Sequence, residues 1–127
     1  MHIFSLEQRV YYENTDAGGV VFYGEYLRFF ERARTEFLRQ QGYSVADLLT
    51  QTDPILFVVR KAEIEYLKPL FLDDKITITA GVLWQKQTSF MFEQKIYRDD
   101  VCTTTALILC VATDKTGKPK RNKLIFQ

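Results

Sequence analysis

Residues 11–42 constrain the fold more than any other part of this chain. They run from the end of a strand through a polar turn, Asn14-Thr15-Asp16-Ala17-Gly18-Gly19, into one long helix. Phe22, Tyr26, Phe29, Phe30, Ala33 and Phe37 recur at a 3.6-residue period and form one apolar face. Arg28, Glu31, Arg32 and Arg39 fall outside it. A helix over residues 23–40 is roughly 27 Å long at ~1.5 Å per residue. An aromatic stripe of that length needs a broad apolar partner, and only a sheet can supply one here. Gly42 suits the left-handed position that closes a helix.

The remaining segments read as that sheet. Phe4, Leu6, Gln8, Val10 and Tyr12 share a parity, which predicts a first strand over residues 3–12. Ser44 and Asp47 form a capping-box pattern for a short helix over 45–49. From Phe57 the period becomes two. Ala62, Ile64 and Tyr66 alternate with Lys61, Glu63 and Glu65, a half-buried strand that Lys68-Pro69 interrupts. Ile76 to Trp84 alternate in the next strand, and Phe90, Phe92 and Ile96 share a parity in the one after. Residues 101–113 are apolar on both parities through their middle, which predicts a strand buried on both faces. Short turns at Asp73-Asp74, Gln85-Lys86-Gln87 and Asp99-Asp100 imply antiparallel neighbours. The fold class is α+β, with a five-stranded antiparallel sheet wrapped around one long central helix. Residues 1–127 form a single domain with no repeat or linker.

Composition removes several function classes. A net charge of +1 provides no field for nucleic acid or an anionic membrane. The first residues carry no apolar run long enough for a signal peptide or a membrane span. Cys102 and Cys110 have no CxxC spacing and read as small hydrophobes in a reducing compartment, so the expected location is cytoplasmic. The single histidine, His2, lies at the chain end. Triads, Cys-His dyads and histidine metal sites are therefore set aside. Catalysis is expected to rest on carboxylates, backbone amides and hydroxyls, with no metal and no cofactor.

Residues 10–21, Val-Tyr-Tyr-Glu-Asn-Thr-Asp-Ala-Gly-Gly-Val-Val, are followed by Tyr26-Leu27 and by Phe29-Phe30-Glu31-Arg32-Ala33-Arg34-Thr35-Glu36. This pattern resembles the hotdog-fold acyl-CoA thioesterases of the 4-hydroxybenzoyl-CoA thioesterase type, and within them the Tol–Pal-associated YbgC-like enzymes. Phe57-Val58-Val59-Arg60 and Tyr66-Leu67-Lys68-Pro69 with Leu72-Asp73-Asp74 are similar to further recurrent stretches of that family. The resemblance covers nearly the whole chain. It implies a hotdog fold and hydrolysis of an acyl-CoA thioester to free acid and coenzyme A. It also implies a homodimer joined sheet edge to sheet edge, commonly paired again into a homotetramer, with active sites at the dimer interface.

The resemblance places the catalytic carboxylate at Asp16 and the amide that polarises the thioester oxygen on the backbone of Tyr23. The residue chemistry agrees. A thioester needs a carboxylate to activate water or attack directly, and donors for the developing oxyanion. Asp16 lies just before a helix N-terminus, which favours negative charge. A capping or Asx-turn role for Asp16 is the structural alternative, and both can hold. Gly18, Gly19 and Val20 are expected to approach the thioester closely. Thr88 and Ser89 match the place of polar site residues from the partner subunit, or simply open a strand. Arg60 shares the Ala62/Ile64/Tyr66 parity and points to the site, or pairs with Glu31. Lys86 is expected to hold coenzyme A phosphates, or to be a solvated loop lysine.

Two positions depart from the family pattern. Asn14 stands where an acidic residue is usual, and reads as a turn-stabilising amide. Tyr23 stands where many YbgC-like members have histidine, which leaves the acyl group open between a phenyl ring and an alkyl chain. A non-catalytic module binding acyl-CoA or acyl-carrier protein is the alternative function. A hotdog dehydratase would need a histidine paired with a carboxylate, and only His2 is present.

Overall fold

The computed structural model describes residues 1–126. Strand β1 (Phe4–Arg9) leads through a 3-10 turn (Tyr12–Asn14) to helix α1 (Tyr23–Gln40) and the short helix α2 (Val45–Thr50). Strands β2 (Leu56–Tyr66), β3 (Lys75–Gln85), β4 (Ser89–Arg98) and β5 (Val101–Thr113) follow. They form one antiparallel sheet in the order β1-β3-β4-β5-β2. The sheet curls around α1 in the hotdog arrangement that the resemblance implied.

Both ends of α1 follow from its sequence. At the C-terminus Gly42 takes φ 96°, its N–H donates to the Arg39 carbonyl at 3.0 Å, and the Tyr43 N–H donates to the Leu38 carbonyl at 2.8 Å. That is the paired closure a left-handed glycine permits. Ser44 caps α2 by accepting the Asp47 amide at 3.3 Å, as its pattern predicts.

Tyr26, Phe29, Phe30, Ala33 and Phe37 are buried against Ile76, Ile78, Phe90, Phe92, Ile96 and Ile108 from the sheet. Phe37 meets Phe92 edge to face with centroids 5.7 Å apart. Burying each large side chain contributes about 1.5–3 kcal/mol. One polar group bolts helix to sheet. The fully buried Gln94 donates through Nε2 to the Phe30 carbonyl at 3.0 Å and the Thr79 carbonyl at 3.1 Å. Its Oε1 accepts from Arg34 Nη1 at 3.0 Å.

Five expectations need correction. The first strand ends at Arg9, because Val10 turns to exchange backbone bonds with Asp73 and Asp74 and Asn14 Oδ1 then accepts the Tyr11 amide at 2.8 Å. Phe22 leaves the buried stripe: it is the extended residue before α1 and is 40% exposed. Strand β2 is an edge strand paired only with β5, and only Ile64 of its alternating set is shielded. A bulge between Val59 and Lys61 leaves Arg60 unpaired and breaks its expected parity with Ala62. Strand β5 is buried on one face; Leu107, Leu109 and Val111 are half-buried on the other.

Replacing Phe30 with alanine should lower unfolding stability by about 3–5 kcal/mol, measured from urea transitions.

Candidate active site

Asp16 sits in a tight loop. Thr15 and Val21 pair across it as an isolated antiparallel bridge. The Asp16 N–H donates to the Val20 carbonyl at 2.9 Å, and the Gly19 N–H to the Asp16 carbonyl at 3.0 Å. Gly19 takes φ 78°, which a side chain would resist. Asp16 Oδ1 accepts the amides of Gly18 at 2.9 Å and Val20 at 3.2 Å. Its Oδ2 accepts no hydrogen bond among the described residues, and the residue is exposed. The Asx-turn role is therefore real, yet it occupies only one carboxylate oxygen.

The loop is sewn to the segment entering β3. Val20 bridges Phe71, the Val21 N–H donates to the Leu70 carbonyl, and the Leu72 N–H donates to the Gly19 carbonyl, the last two at 2.9 Å. Asn14 is buried and holds the preceding turn, as its amide suggested.

Helix α1 begins immediately beyond the loop. Phe22 makes no side-chain cap, and the first bonded amide is that of Glu25, which donates to the Phe22 carbonyl at 3.0 Å. The amides of Tyr23 and Gly24 donate to nothing among the described residues, so two donors stand at the positive end of the helix. The Tyr23 side chain is 79% exposed. A cleft of about 290 Å³ opens here, lined by Val20, Tyr23, Tyr26, Tyr66, Lys68 and their neighbours. Tyr26 and Tyr66 meet edge to face with centroids 4.9 Å apart. Burial pushes the Tyr26 phenol above its ordinary range, against the Leu70 backbone and the Arg98 guanidinium.

Sequence reasoning missed three members of this region. Tyr26 was read as core and Tyr66 only as a strand residue, yet both line the cleft. Lys68 was read as a strand end, yet its side chain is the cation of the cleft lining. Glu25 was also missed. It is 3% exposed in the first turn of α1, its Oε1 lies 3.7 Å from Arg28 Nη1, and its Oε2 has no partner among the described residues. Its place between Phe22 and Phe29 on the edge of the stripe was the available signal.

Within one chain Asp16, Gly18, Gly19 and Val20 share one hydrogen-bonded loop that leads into Tyr23 at the start of α1; of these Val20 and Tyr23 line the cleft, and the other candidates lie apart. Lys86, Thr88 and Ser89 lie at the β3–β4 turn, at the far end of β3 from the Asp16 loop. An eleven-residue strand spans roughly 35 Å. Lys86 Nζ rests 4.9 Å from the Trp84 ring centroid, and the Thr88 carbonyl accepts the Ala112 amide at 2.8 Å. Arg60 is exposed at the β2 bulge and forms no ion pair with Glu31. His2 bonds Gln40 at 3.0 Å, at the opposite end of α1 from Asp16. No group of three or more potential metal-ligating side chains occurs among the described residues.

Comparisons with known proteins identify the family and the fold. The thioesterase superfamily profile matches residues 18–103. The acyl-CoA thioester hydrolase YbgC of Escherichia coli O6:H1 is 41% identical over 113 residues, covering 88% of this chain and 83% of that protein. The acyl-CoA thioesterase YbgC of Haemophilus influenzae is 40% identical over 117 residues, covering 92% and 85%. The crystal structure of a probable thioesterase from Bartonella henselae superposes with a TM-score of 0.92 at 33% identity, covering 96% of this chain and all of that one.

The raised Tyr26 phenol makes a stability prediction. Its contribution is fully present below the ordinary tyrosine pKa of about 10, and is lost as pH rises through the higher folded value. Tyr26→Phe should therefore show a smaller alkaline loss of denaturation midpoint than the parent protein. With the loop, the free helix amides and these relatives together, the chain belongs to the thioesterase superfamily, in the branch of the YbgC acyl-CoA thioester hydrolases.

Proposed function

We propose that this protein is an acyl-CoA thioesterase that hydrolyses an acyl-CoA to the free acid and coenzyme A, with Asp16 as its catalytic carboxylate. One observation carries the assignment of residues. A carboxylate with one tethered and one unbonded oxygen stands across a single bridged loop from two unbonded helix amides. The thioester carbonyl oxygen accepts from the Tyr23 amide, with Gly24 beside it, where the helix dipole favours the developing negative charge. Asp16 Oδ2 either takes a proton from the attacking water or attacks the carbonyl carbon itself. In the first route water oxygen bonds to carbon, the C–S bond breaks and the thiolate leaves. In the second an acyl-aspartyl anhydride forms with thiolate departure, and water then cleaves it.

The site is completed by a homodimer. Strand β2 leaves one edge unpaired, and Val58 and Val59 are exposed on it. Such an edge is a template for another strand. Two-fold antiparallel pairing of β2 reverses the second sheet. The partner subunit's β3–β4 turn, with the partner's Lys86, the partner's Thr88 and the partner's Ser89, then comes to the Asp16 end. This arrangement supports their reading as substrate contacts from across the interface, with Lys86 and Arg60 available to coenzyme A phosphates. Further pairing into a tetramer would cover Leu107, Leu109 and Val111. Two free thiols suit a reducing cytoplasm.

Asp16→Asn tests the mechanism cleanly, because the asparagine carbonyl can still accept the Gly18 and Val20 amides. Thiol release from a panel of acyl-CoA substrates should fall about 10²–10⁴-fold with the melting temperature unchanged. Undiminished release would remove Asp16 from the chemistry. Tight acyl-CoA binding by the parent protein with no release at any chain length would make it a binding module. Sedimentation equilibrium should give at least twice the 14.9 kDa chain mass, and monomers would leave the site incomplete.

A further inference from the structure

The inward-facing positions of β4 run Phe90, Phe92, Gln94 and Ile96 at period two, and Arg98 takes the next one, opposite the buried Ile76 of β3. A cation therefore stands at the rim of the core, next in line after four buried side chains. Its Nη1 donates to the Pro69 carbonyl at 2.8 Å and to Asp74 Oδ2 at 3.0 Å, and its guanidinium carbon lies 6.0 Å from the Phe71 ring centroid. The same Asp74 oxygen accepts the Phe71 amide at 2.8 Å. The Arg98 and Asp74 side chains are 27% and 20% exposed, and no other ion pair among the described residues has both partners so shielded. Shielding strengthens the attraction and makes the loss of either partner costly.

The segment that this pair grips joins β2 to β3 and serves the Asp16 loop. Leu70, Phe71 and Leu72 carry the contacts to Val21, Val20 and Gly19. Val20 in turn holds Asp16 twice: its amide donates to Oδ1 at 3.2 Å, and its carbonyl accepts the Asp16 amide at 2.9 Å. The segment lies between the end of β2 at Tyr66 and the start of β3 at Lys75, so no strand ladder sets its shape. It closes in a turn in which the Asp74 amide donates to the Phe71 carbonyl at 3.1 Å and Asp73 takes φ 68°. Arg98 holds Pro69 just before the three loop-bearing residues and Asp74 just after them. Among the described residues Arg98 bonds no member of the Asp16 loop, and it does not line the cleft. Its influence on the loop is therefore exerted through residues 69–74.

We propose that Arg98 and Asp74 are positioning residues for catalysis: their ion pair clamps residues 69–74 and thereby sets the place of the Asp16 carboxylate relative to the first amides of α1. The inference rests on the reading of Asp16 as the catalytic carboxylate. A carboxylate that must meet a carbonyl held by separate donors loses rate steeply when it drifts by a fraction of its contact distance. The clamp reaches Asp16 through one bridge, Phe71 to Val20, and one pair of bonds, Val20 to Asp16. A single guanidinium nitrogen makes both polar contacts of Arg98. A lysine ammonium can serve the same two acceptors, whereas methionine keeps only the apolar stem.

The test pairs steady-state thiol release with amide hydrogen exchange on the full chain without substrate. Arg98→Met should lower kcat about 10–10²-fold with KM little changed, and Arg98→Lys should recover most of the loss. In Arg98→Met the amides of Gly19, Val20, Val21 and Leu72 should exchange at least tenfold faster, while those of Phe37 and Ile108 in the core hold their protection. If Arg98→Met fails to fold, Asp74→Asn decides by the same readouts, because the asparagine oxygen still accepts the Phe71 amide while the charge is gone. Three results would overturn the proposal: unchanged loop exchange, a loss of protection equal in loop and core, or a lower kcat without faster loop exchange. The two readings fail separately. Undiminished release by Asp16→Asn removes the catalytic carboxylate, whereas unchanged loop exchange removes the clamp whatever Asp16→Asn does.

Discussion

Everything in this molecule depends on the burial of the α1 aromatic stripe inside the curl of the sheet. Tyr26, Phe29, Phe30, Ala33 and Phe37 leave no room for a mobile helix. Fixing the helix fixes its first turn, and with it the direction of the Tyr23 and Gly24 amides. Gln94 adds a polar reference point, because a buried amide bonded to both helix and sheet sets the helix's position along its own axis. Aromatic packing supplies stability and the glutamine supplies registration; neither substitutes for the other.

The Asp16 loop borrows its rigidity from a different source. It contains little apolar mass, and its shape comes from backbone bonds to residues 70–72 and from the aspartate's own grip on two amides. Rigid helix and rigid loop are joined through Val21, which is buried. In the proposed reaction the carboxylate and amides of one chain would already be in place, which is where preorganised donors gain most of their effect.

Local order was legible in the sequence, and long-range coverage was not. The bounds of α1, the Gly42 closure, the Ser44 cap and the span of β5 follow from period and turn chemistry, which are properties of neighbouring residues. The exposure of β2 was hidden, because alternation reveals that a strand has two faces without revealing whether anything covers them. The bulge at Arg60 was hidden because an inserted residue leaves no mark in composition. Glu25 escaped because a periodic search for apolar residues passes over a carboxylate at the stripe's margin. The loop candidates were legible because they are contiguous. The separation of Lys86, Thr88 and Ser89 from Asp16 became visible only once strand directions were known.

The two oxygens of Asp16 are not equivalent. One is tethered by Gly18 and Val20, which opposes rotation of the carboxylate and favours one direction for the other oxygen. A carbonyl is flat and offers two sides to an attacker. In the proposed reaction, with the amides gripping the carbonyl oxygen and a single carboxylate oxygen presenting from the loop, only one of those sides would be addressed, and the tetrahedral species would form with a single handedness in every cycle.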